Sequence, residues 1–146
     1  MQTNNQPVFA TGHSLGGALA TLSCLFLGVY VEQYYTFGSP RPVGRDTCAY
    51  WGKPTDPEIF RFVNNNDAVT LLPSWFFGYR HLGDCLYLDS GGKLLRNPSL
   101  LRRAWGQVRG RVKNHFHGWT DGISDHSMNE YVRILGNLKG ESENEK

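Results

Sequence analysis

Cysteine is scarce in this chain of 146 residues, and the three that occur, Cys24, Cys48 and Cys85, form no C-x-x-C pair. An odd number without paired spacing indicates neither a disulfide framework nor a zinc site, so at most one disulfide is expected. An excess of one charge sign is also lacking, because 15 basic side chains stand against 13 acidic ones. This balance gives no indication of a nucleic-acid partner.

Long apolar runs are missing as well. The longest, residues 18–31, is too short to cross a bilayer and contains Thr21, Ser23 and Gly28. Residues 1–6 are polar and do not resemble a secretory signal, so the sequence does not indicate a compartment. With 40% hydrophobic residues, the chain is expected to form one globular domain over residues 1–138. A polar tail, predicted to be disordered, follows over residues 139–146.

Short β-branched or aromatic runs alternate with helical patterns along the chain. Strands are predicted over residues 7–11, 34–37 and 59–63. Residues 18–27 predict a helix that is apolar on all sides and therefore buried. Residues 79–82 and 85–88 flank Gly83 and Asp84, which predicts a β-hairpin or paired edge strands. The alternation of strands and helices indicates an α/β fold.

The last helix has the clearest start signal. Residues 127–130 fit a capping box, in which Ser127 and Glu130 are expected to satisfy each other's amide groups. Gly136 and Gly140 are expected to end the helix. Apolar side chains repeat between these limits at helical spacing: Met128, Tyr131, Val132 and Leu135.

A basic segment precedes that helix, with no acidic residue between Asp89 and Asp121. A helical wheel from Leu100 to Lys113 places apolar side chains on one side and most of the basic ones on the other. One interpretation is a helix on an anionic lipid interface. The other is a solvated helix packed on the domain.

A serine stands at the centre of G-x-S-x-G, from Gly12 to Gly16. A serine on a sharp turn requires small neighbours, which the glycines two residues before and after it supply. The motif also requires a strand before the turn and a helix after it, and both are predicted here. The helix start directs positive charge toward Ser14, which makes the Leu15 amide a candidate oxyanion donor. The alternative is a glycine-rich turn that only caps a helix. Without a Lys-Ser/Thr ending, a phosphate-binding loop is disfavoured.

A serine hydroxyl is a weak nucleophile, so an imidazole must accept its proton and a carboxylate should orient that imidazole. In hydrolases with this motif the chain order is serine, acid, histidine. Asp67 ends a polar turn after a predicted strand and is the candidate acid. Its alternative role is that of a turn residue bonded to local backbone.

Five histidines compete for the role of base. His126, just ahead of the capped helix, is the candidate, and the alternative is a helix-start histidine of no catalytic importance. His13 is expected to point elsewhere, and His81 is expected to be a packed structural residue. His115 and His117 lie in the basic stretch.

Four ordered segments resemble the class 3 lipases, the fungal triacylglycerol lipase-like family. They are residues 11–20 around the serine, residues 37–41, residues 62–73 with the acid, and residues 125–131 with the histidine. This resemblance runs from Pro7 to Leu135. It implies a partial α/β-hydrolase fold that begins at the nucleophile strand, without the N-terminal half of the sheet, the lid and the second oxyanion donor.

The resemblance also implies an activity. The expected reaction is hydrolysis of carboxylic esters, typically acylglycerols, through an acyl-enzyme on Ser14, without a metal or an organic cofactor. The implied partner is a lipid or ester substrate. One alternative is a catalytically silent fragment or lipid-binding pseudo-enzyme, and another is an enzyme for phospholipids, galactolipids or small soluble esters. Trp75, Phe76 and Phe77 either line an acyl-chain pocket or touch lipid, or else pack in the core.

Overall fold

A five-stranded sheet forms the centre of the described chain. The structure is a computed structural model and describes residues 6–27, 31–99 and 124–144. Its strands are β1 (Phe9–His13), β2 (Gln33–Phe37), β3 (Val43–Gly44), β4 (Glu58–Asn64), β5 (Tyr79–Arg80), β6 (Asp84–Leu88) and β7 (Leu94–Arg96). Its α-helices are α1 (Leu15–Leu27), α2 (Arg45–Tyr50) and α3 (Met128–Asn144). Two short 3-10 helices span Ala68–Leu71 and Trp75–Phe77.

The main sheet has the strand order β1-β2-β4-β6-β7. The first four strands are parallel, and β7 is antiparallel to β6. The predicted α/β class is confirmed. Because parallel strands end at the same edge, the carboxyl ends of β1, β2 and β4 lie on one side of the sheet, where sites form in folds of this kind.

The predicted hairpin across Gly83 and Asp84 is wrong. β5 pairs with β3, whereas β6 joins the main sheet in parallel with β4. The hairpin in this part of the chain is formed by β6 and β7, and its turn is organised by the Asp89 carboxylate, which accepts two backbone N–H groups. The pairing of β6 with β4 buries Tyr87 and Leu88. This burial depends on a strand that is distant in sequence, so a local turn pattern does not reveal it.

Helix α1 is buried on one face only, so the prediction of a helix buried on all sides is wrong. The small residues Gly17, Thr21 and Cys24 face inward, whereas Leu19 and Phe26 are 58% and 81% exposed. Small side chains allow the helix to lie close to the sheet. When a helix is apolar on all sides, its sequence does not indicate which face packs on the sheet.

Strand β1 lies at an edge of the described sheet and pairs there with β2. Val8 and Phe9, at its start, are both more than half exposed. Elsewhere, no helix among the described residues is long and apolar enough to span a membrane.

Helix α3 packs on the sheet through Tyr131 and Ile134, which contact Leu88. Of the four apolar residues that repeat at helical spacing, Met128 and Val132 are exposed. The face of α3 that contacts the sheet is too narrow to bury all the apolar residues of this pattern, so some of them remain exposed to solvent.

The start of α3 after Ser127 is confirmed, but the predicted capping box is wrong. The Ser127 N–H donates to the Ser124 carbonyl, and the Glu130 carboxylate pairs with Arg133. The capping box requires the Glu130 carboxylate to accept the Ser127 N–H. That carboxylate instead forms an ion pair with the arginine three residues along the helix.

The predicted end of α3 is also wrong, because the helix continues through Gly136 and Gly140 to Asn144. A domain over residues 1–138 with a tail over residues 139–146 stays a prediction. The segment from Leu100 to Lys113, with His115 and His117, lies outside the described residues.

All three cysteines are free. Cys24 and Cys85 are buried, and Cys48 is partly buried. Burial is the main cause that raises the pKa of the Cys24 thiol to about 11, with the negative charge of Asp56 adding to it. A thiol with a raised pKa stays protonated until the pH approaches that value, so Cys24 holds almost no reactive thiolate at neutral pH.

We therefore expect iodoacetamide at mildly alkaline pH to modify Cys48 well before Cys24 in the folded chain. The measurement is mass spectrometry of the labelled peptides over time. The same reaction in concentrated urea is the control, where both cysteines should react at similar rates. Equal rates in the native chain would contradict the packing of α1 described above.

Candidate active site

Ser14 lies on a sharp turn between β1 and α1, in the left-handed backbone region with a φ of 56°. Its N–H donates to the Phe37 carbonyl, and its own carbonyl accepts the Gly17 N–H. A Cβ on Gly12 would lie 2.3 Å from the Gly16 carbonyl oxygen, so a side chain does not fit there. A Cβ on Gly16 would meet no described atom within 4 Å. Of the two motif glycines, only Gly12 is therefore required for steric reasons by the described residues.

The three side chains singled out in the sequence contact one another. The Ser14 hydroxyl lies 2.9 Å from Nε2 of His126. Nδ1 of His126 lies 3.0 Å from each carboxylate oxygen of Asp67. An ionised carboxylate only accepts hydrogen bonds, so Nδ1 carries the imidazole proton and Nε2 is left to accept from the serine.

Asp67 is buried, with 2% of its surface exposed. Its Oδ1 accepts the Val69 N–H at 3.0 Å, which caps the first 3-10 helix. Its Oδ2 accepts the Tyr131 hydroxyl at 2.7 Å. A buried carboxylate needs such donors, because an unpaired charge in the interior is costly. The two roles weighed from the sequence, a turn residue and a partner for the histidine, are therefore present in one side chain.

Tyr131 is a site residue that sequence reasoning missed. Its hydroxyl accepts the Asn64 N–H at 2.9 Å and donates to Asp67, so it joins the end of β4 to the carboxylate. Burial, followed by the negative charge of Asp67, raises the pKa of Tyr131 well above its usual range, so the hydroxyl remains a donor. The sequence marks this tyrosine only as one apolar position on a helix.

The loop that carries His126 is tied to the turn that carries Asp67. The Asn64 side chain donates to the Asp125 carbonyl at 3.0 Å, and the Asn66 N–H donates to the Asp125 carboxylate at 3.1 Å. His13, expected to point elsewhere, instead lies in the site. Its Nε2 donates to the His126 carbonyl at 2.7 Å, and the centroids of the two imidazole rings lie 4.7 Å apart.

Gly38, at the carboxyl end of β2, provides the space that the acid and the histidine occupy. Its φ is 58°, and a Cβ there would lie 2.7 Å from Oδ2 of Asp67 and 2.9 Å from Nδ1 of His126. A side chain at this position is therefore excluded by backbone conformation and by contact. In the sequence this glycine appears only as a strand terminator.

The remaining residues predicted for the site are three aromatic residues after Asp67 and Leu15. Trp75, Phe76 and Phe77 are 63–76% exposed, so the alternative that they pack in the core is wrong. Leu15 is the first residue of α1, where backbone N–H groups have no partner within the helix. Its amide thus fits an anion-stabilising donor beside Ser14.

His81 donates from Nε2 to the Thr70 carbonyl at 2.9 Å, in keeping with the structural role predicted for it. Within residues 6–27, 31–99 and 124–144, no group of three or more His, Cys, Asp or Glu side chains is placed to hold a metal ion.

Comparison with known proteins identifies the relatives of this chain. Residues 2–77, about half of the chain, match the family described as lipase (class 3). The chain belongs to the class 3 lipase family. It is 41% identical over 83 residues to a secreted mono- and diacylglycerol lipase of Fusarium solani, a match that covers 56% of this chain and 25% of the relative. It is 34% identical over 143 residues to a triacylglycerol lipase of Ricinus communis, which covers 78% of this chain and 27% of the relative.

The fold of this class 3 lipase chain is similar to that of a solved triacylglycerol lipase whose catalytic centre is a serine protease triad. The TM-score is 0.56 and the identity 32%, over 65% of this chain and 38% of the other. The described sheet is part of an α/β-hydrolase fold, as the resemblance implied. The chain spans about a quarter of the length of the two curated relatives.

Replacement of Gly38 by alanine tests the space beside Asp67. We expect Gly38→Ala to cost about 1–2 kcal/mol for the left-handed backbone alone, with a further loss as the new Cβ displaces the carboxylate or the imidazole. Urea unfolding measures the change. The control is Gly136→Ala in α3, which meets no described atom within 4 Å and should slightly stabilise the helix.

Replacement of Tyr131 by phenylalanine tests the buried hydroxyl. We expect Tyr131→Phe to lower the free energy of unfolding by about 1–3 kcal/mol, because it leaves Asp67 short of a donor and the Asn64 N–H short of an acceptor. Tyr50→Phe, at a side chain that is 76% exposed, is the matched control and should have little effect. Equal effects of the two substitutions would show that the Tyr131 hydroxyl does not support the site.

Proposed function

We propose that this chain carries the catalytic triad of a carboxylic-ester hydrolase, with Ser14 as nucleophile, His126 as base and Asp67 as the residue that orients the base. The observation that carries the proposal is the unbroken series of contacts from the Ser14 hydroxyl through the imidazole to a buried carboxylate. Such a series is what an unactivated hydroxyl requires to attack a carbonyl.

In the first half of the reaction, the Ser14 oxygen attacks the ester carbonyl carbon while Nε2 of His126 takes the hydroxyl proton. The carbonyl oxygen gains the negative charge and accepts a hydrogen bond from the Leu15 N–H at the positive end of α1. Collapse of this intermediate breaks the ester bond. The departing alcohol takes the proton from His126, and the acyl group stays on Ser14.

In the second half, a water molecule attacks the acyl carbon and gives its proton to His126. The bond from the acyl carbon to the Ser14 oxygen then breaks, and the serine recovers the proton as the carboxylic acid leaves. Asp67 stabilises the charged imidazole in both halves without taking its proton. The sequence of steps needs no metal or organic cofactor.

The substrates that we propose are acylglycerol-type lipids. The names of the curated relatives, which are mono- and diacylglycerol or triacylglycerol lipases, support this class. The exposed aromatic residues after Asp67 also support it, since an acyl chain needs apolar walls beside the reacting ester. Phospholipids, galactolipids and small soluble esters are the competing substrates. A comparison of short with long acyl esters separates them.

A catalytically silent fragment is the alternative function. Activation of Ser14 decides between the two functions, because a silent fragment has no need of a reactive serine.

We expect a fluorophosphonate to form a single covalent adduct with the chain, measured as intact mass. Phosphonylation requires an activated serine, so Ser14→Ala and His126→Ala should both abolish the adduct. The matched controls are Ser90→Ala, at an exposed turn, and His81→Gln, at the structural histidine, which should both keep it. Absence of an adduct on folded native chain would favour the silent fragment.

A further inference from the structure

His13 connects the turn of the proposed nucleophile to the loop of the proposed base. It is the last residue of β1, directly before Ser14, and it lies on the sheet face that α3 covers. Its ring there meets the ring of Tyr131 edge-on, with centroids 6.2 Å apart. Its Nε2 donates to the His126 carbonyl at 2.7 Å, across 113 positions of the sequence. This hydrogen bond therefore joins the serine segment directly to the histidine segment.

The hydrogen bonds of the triad do not by themselves fix the plane of the His126 imidazole. One runs from Nδ1 to the Asp67 carboxylate, and the other runs from the Ser14 hydroxyl to Nε2. Rotation of the ring about the line from the carboxylate to the serine oxygen changes these N···O distances little. It does move the Cβ of His126 sideways. A restraint on the backbone of this residue is therefore needed to hold the ring in one plane.

Two contacts of His13 oppose that rotation. The hydrogen bond to the His126 carbonyl holds the backbone. The two imidazole rings also lie face to face at a shallow angle of 31°, and close packing resists the tilting of one ring into the other. Asp125 holds the preceding residue from the side of the Asp67 turn, through its bonds with Asn64 and Asn66. His13 supplies the restraint on the side of β1.

The orientation of the imidazole matters for the rate of the proposed reaction. Nε2 of His126 takes the proton from Ser14 and later gives it to the departing alcohol, so it needs good alignment with both oxygens. A hydrogen bond weakens steeply as its angle departs from linearity. Displacement of a reacting group by about 1 Å lowers a rate by as much as about 100-fold. A residue that holds the plane of the base therefore affects the rate through the base alone.

We propose that His13 is a positioning residue for the ester-hydrolase reaction. Its N–H holds the backbone of His126, and its ring limits the tilt of the imidazole that accepts the proton from Ser14. This assignment rests on the proposed function, because it concerns the orientation of the base in that reaction. It gives a role to the residue between Gly12 and Ser14, a position at which G-x-S-x-G does not specify the side chain.

The rate at which a fluorophosphonate reacts with Ser14 measures the orientation of the base. In this reaction the serine oxygen bonds to phosphorus, fluoride leaves, and the hydroxyl proton passes to His126. Intact mass followed over time at several reagent concentrations gives the second-order rate constant. We expect His13→Phe, which keeps an aromatic ring but has no N–H, to lower this constant about tenfold, which corresponds to the loss of one hydrogen bond.

Two amide substitutions separate the hydrogen bond from a role in packing. The amide nitrogen of glutamine takes about the position of Nε2 in a histidine, whereas that of asparagine is one carbon nearer the backbone and does not reach the His126 carbonyl. We expect His13→Gln to keep the rate constant within about threefold of the native value, and His13→Asn to lower it about tenfold. The two amides have the same polarity, so a role in packing alone predicts similar rates for both.

His81→Phe is the matched control, because it also removes an imidazole N–H that donates to a carbonyl, that of Thr70. Urea unfolding should show a comparable loss of stability for the two phenylalanine variants, whereas only His13→Phe should slow the reaction of Ser14. The slower rate should persist at alkaline pH, where a histidine side chain is neutral. A deficit confined to acidic pH would indicate an effect on protonation and would overturn the positioning role.

The outcomes separate this assignment from the proposed function. Equal rate constants for the glutamine and asparagine variants, or equal slowing by His81→Phe, would overturn the role of His13, while an adduct on Ser14 leaves the triad standing. If His13→Phe does not unfold cooperatively in urea, the comparison of the two amides decides. Absence of an adduct on folded native chain would instead overturn the proposed function, and the role of His13 with it.

Discussion

The buried carboxylate of Asp67 is the group on which the arrangement of this chain depends. It receives hydrogen bonds from the backbone of its own turn, from Tyr131 on α3 and from the imidazole of His126. A charge in the interior is tolerated only when it is paired and fully bonded, so the last helix and the loop before it have to be in place for the turn after β4 to be stable. The packing of α3 on the sheet and the arrangement of the site therefore depend on each other near Asp67.

The parallel sheet explains how residues far apart in the chain reach that carboxylate. The carboxyl ends of β1, β2 and β4 supply Ser14, Gly38 and Asp67 in adjacent positions, and the register of the strands sets their spacing. The histidine comes from outside the sheet. Its loop is held by Asp125 contacts to the turn and by His13 from β1, so the imidazole is fixed from two sides.

Features with a strong local cause could be predicted from the sequence. The strand, turn and helix around Ser14, the strands that precede Gly38 and the Asp67 turn, and the start of α3 all follow from short patterns of size and polarity. Features with a distant cause could not. The partner of β6, the inward face of α1 and the continuation of α3 past Gly136 depend on packing against strands that are remote in sequence. The capping box predicted at the start of α3 is absent because the Glu130 carboxylate forms an ion pair with Arg133.

The sequence by itself determined which chemistry this chain can carry, since a serine between glycines, an acid after a strand and a histidine before a helix are local choices of residue type. It also indicated the α/β class and the family. Only the tertiary structure decided that Tyr131, Gly38 and His13 contact the candidate site, and that the aromatic residues after Asp67 are exposed. The physical reason is that a hydrogen bond or a steric limit between distant residues is a property of their positions in space, and residue type alone does not record it.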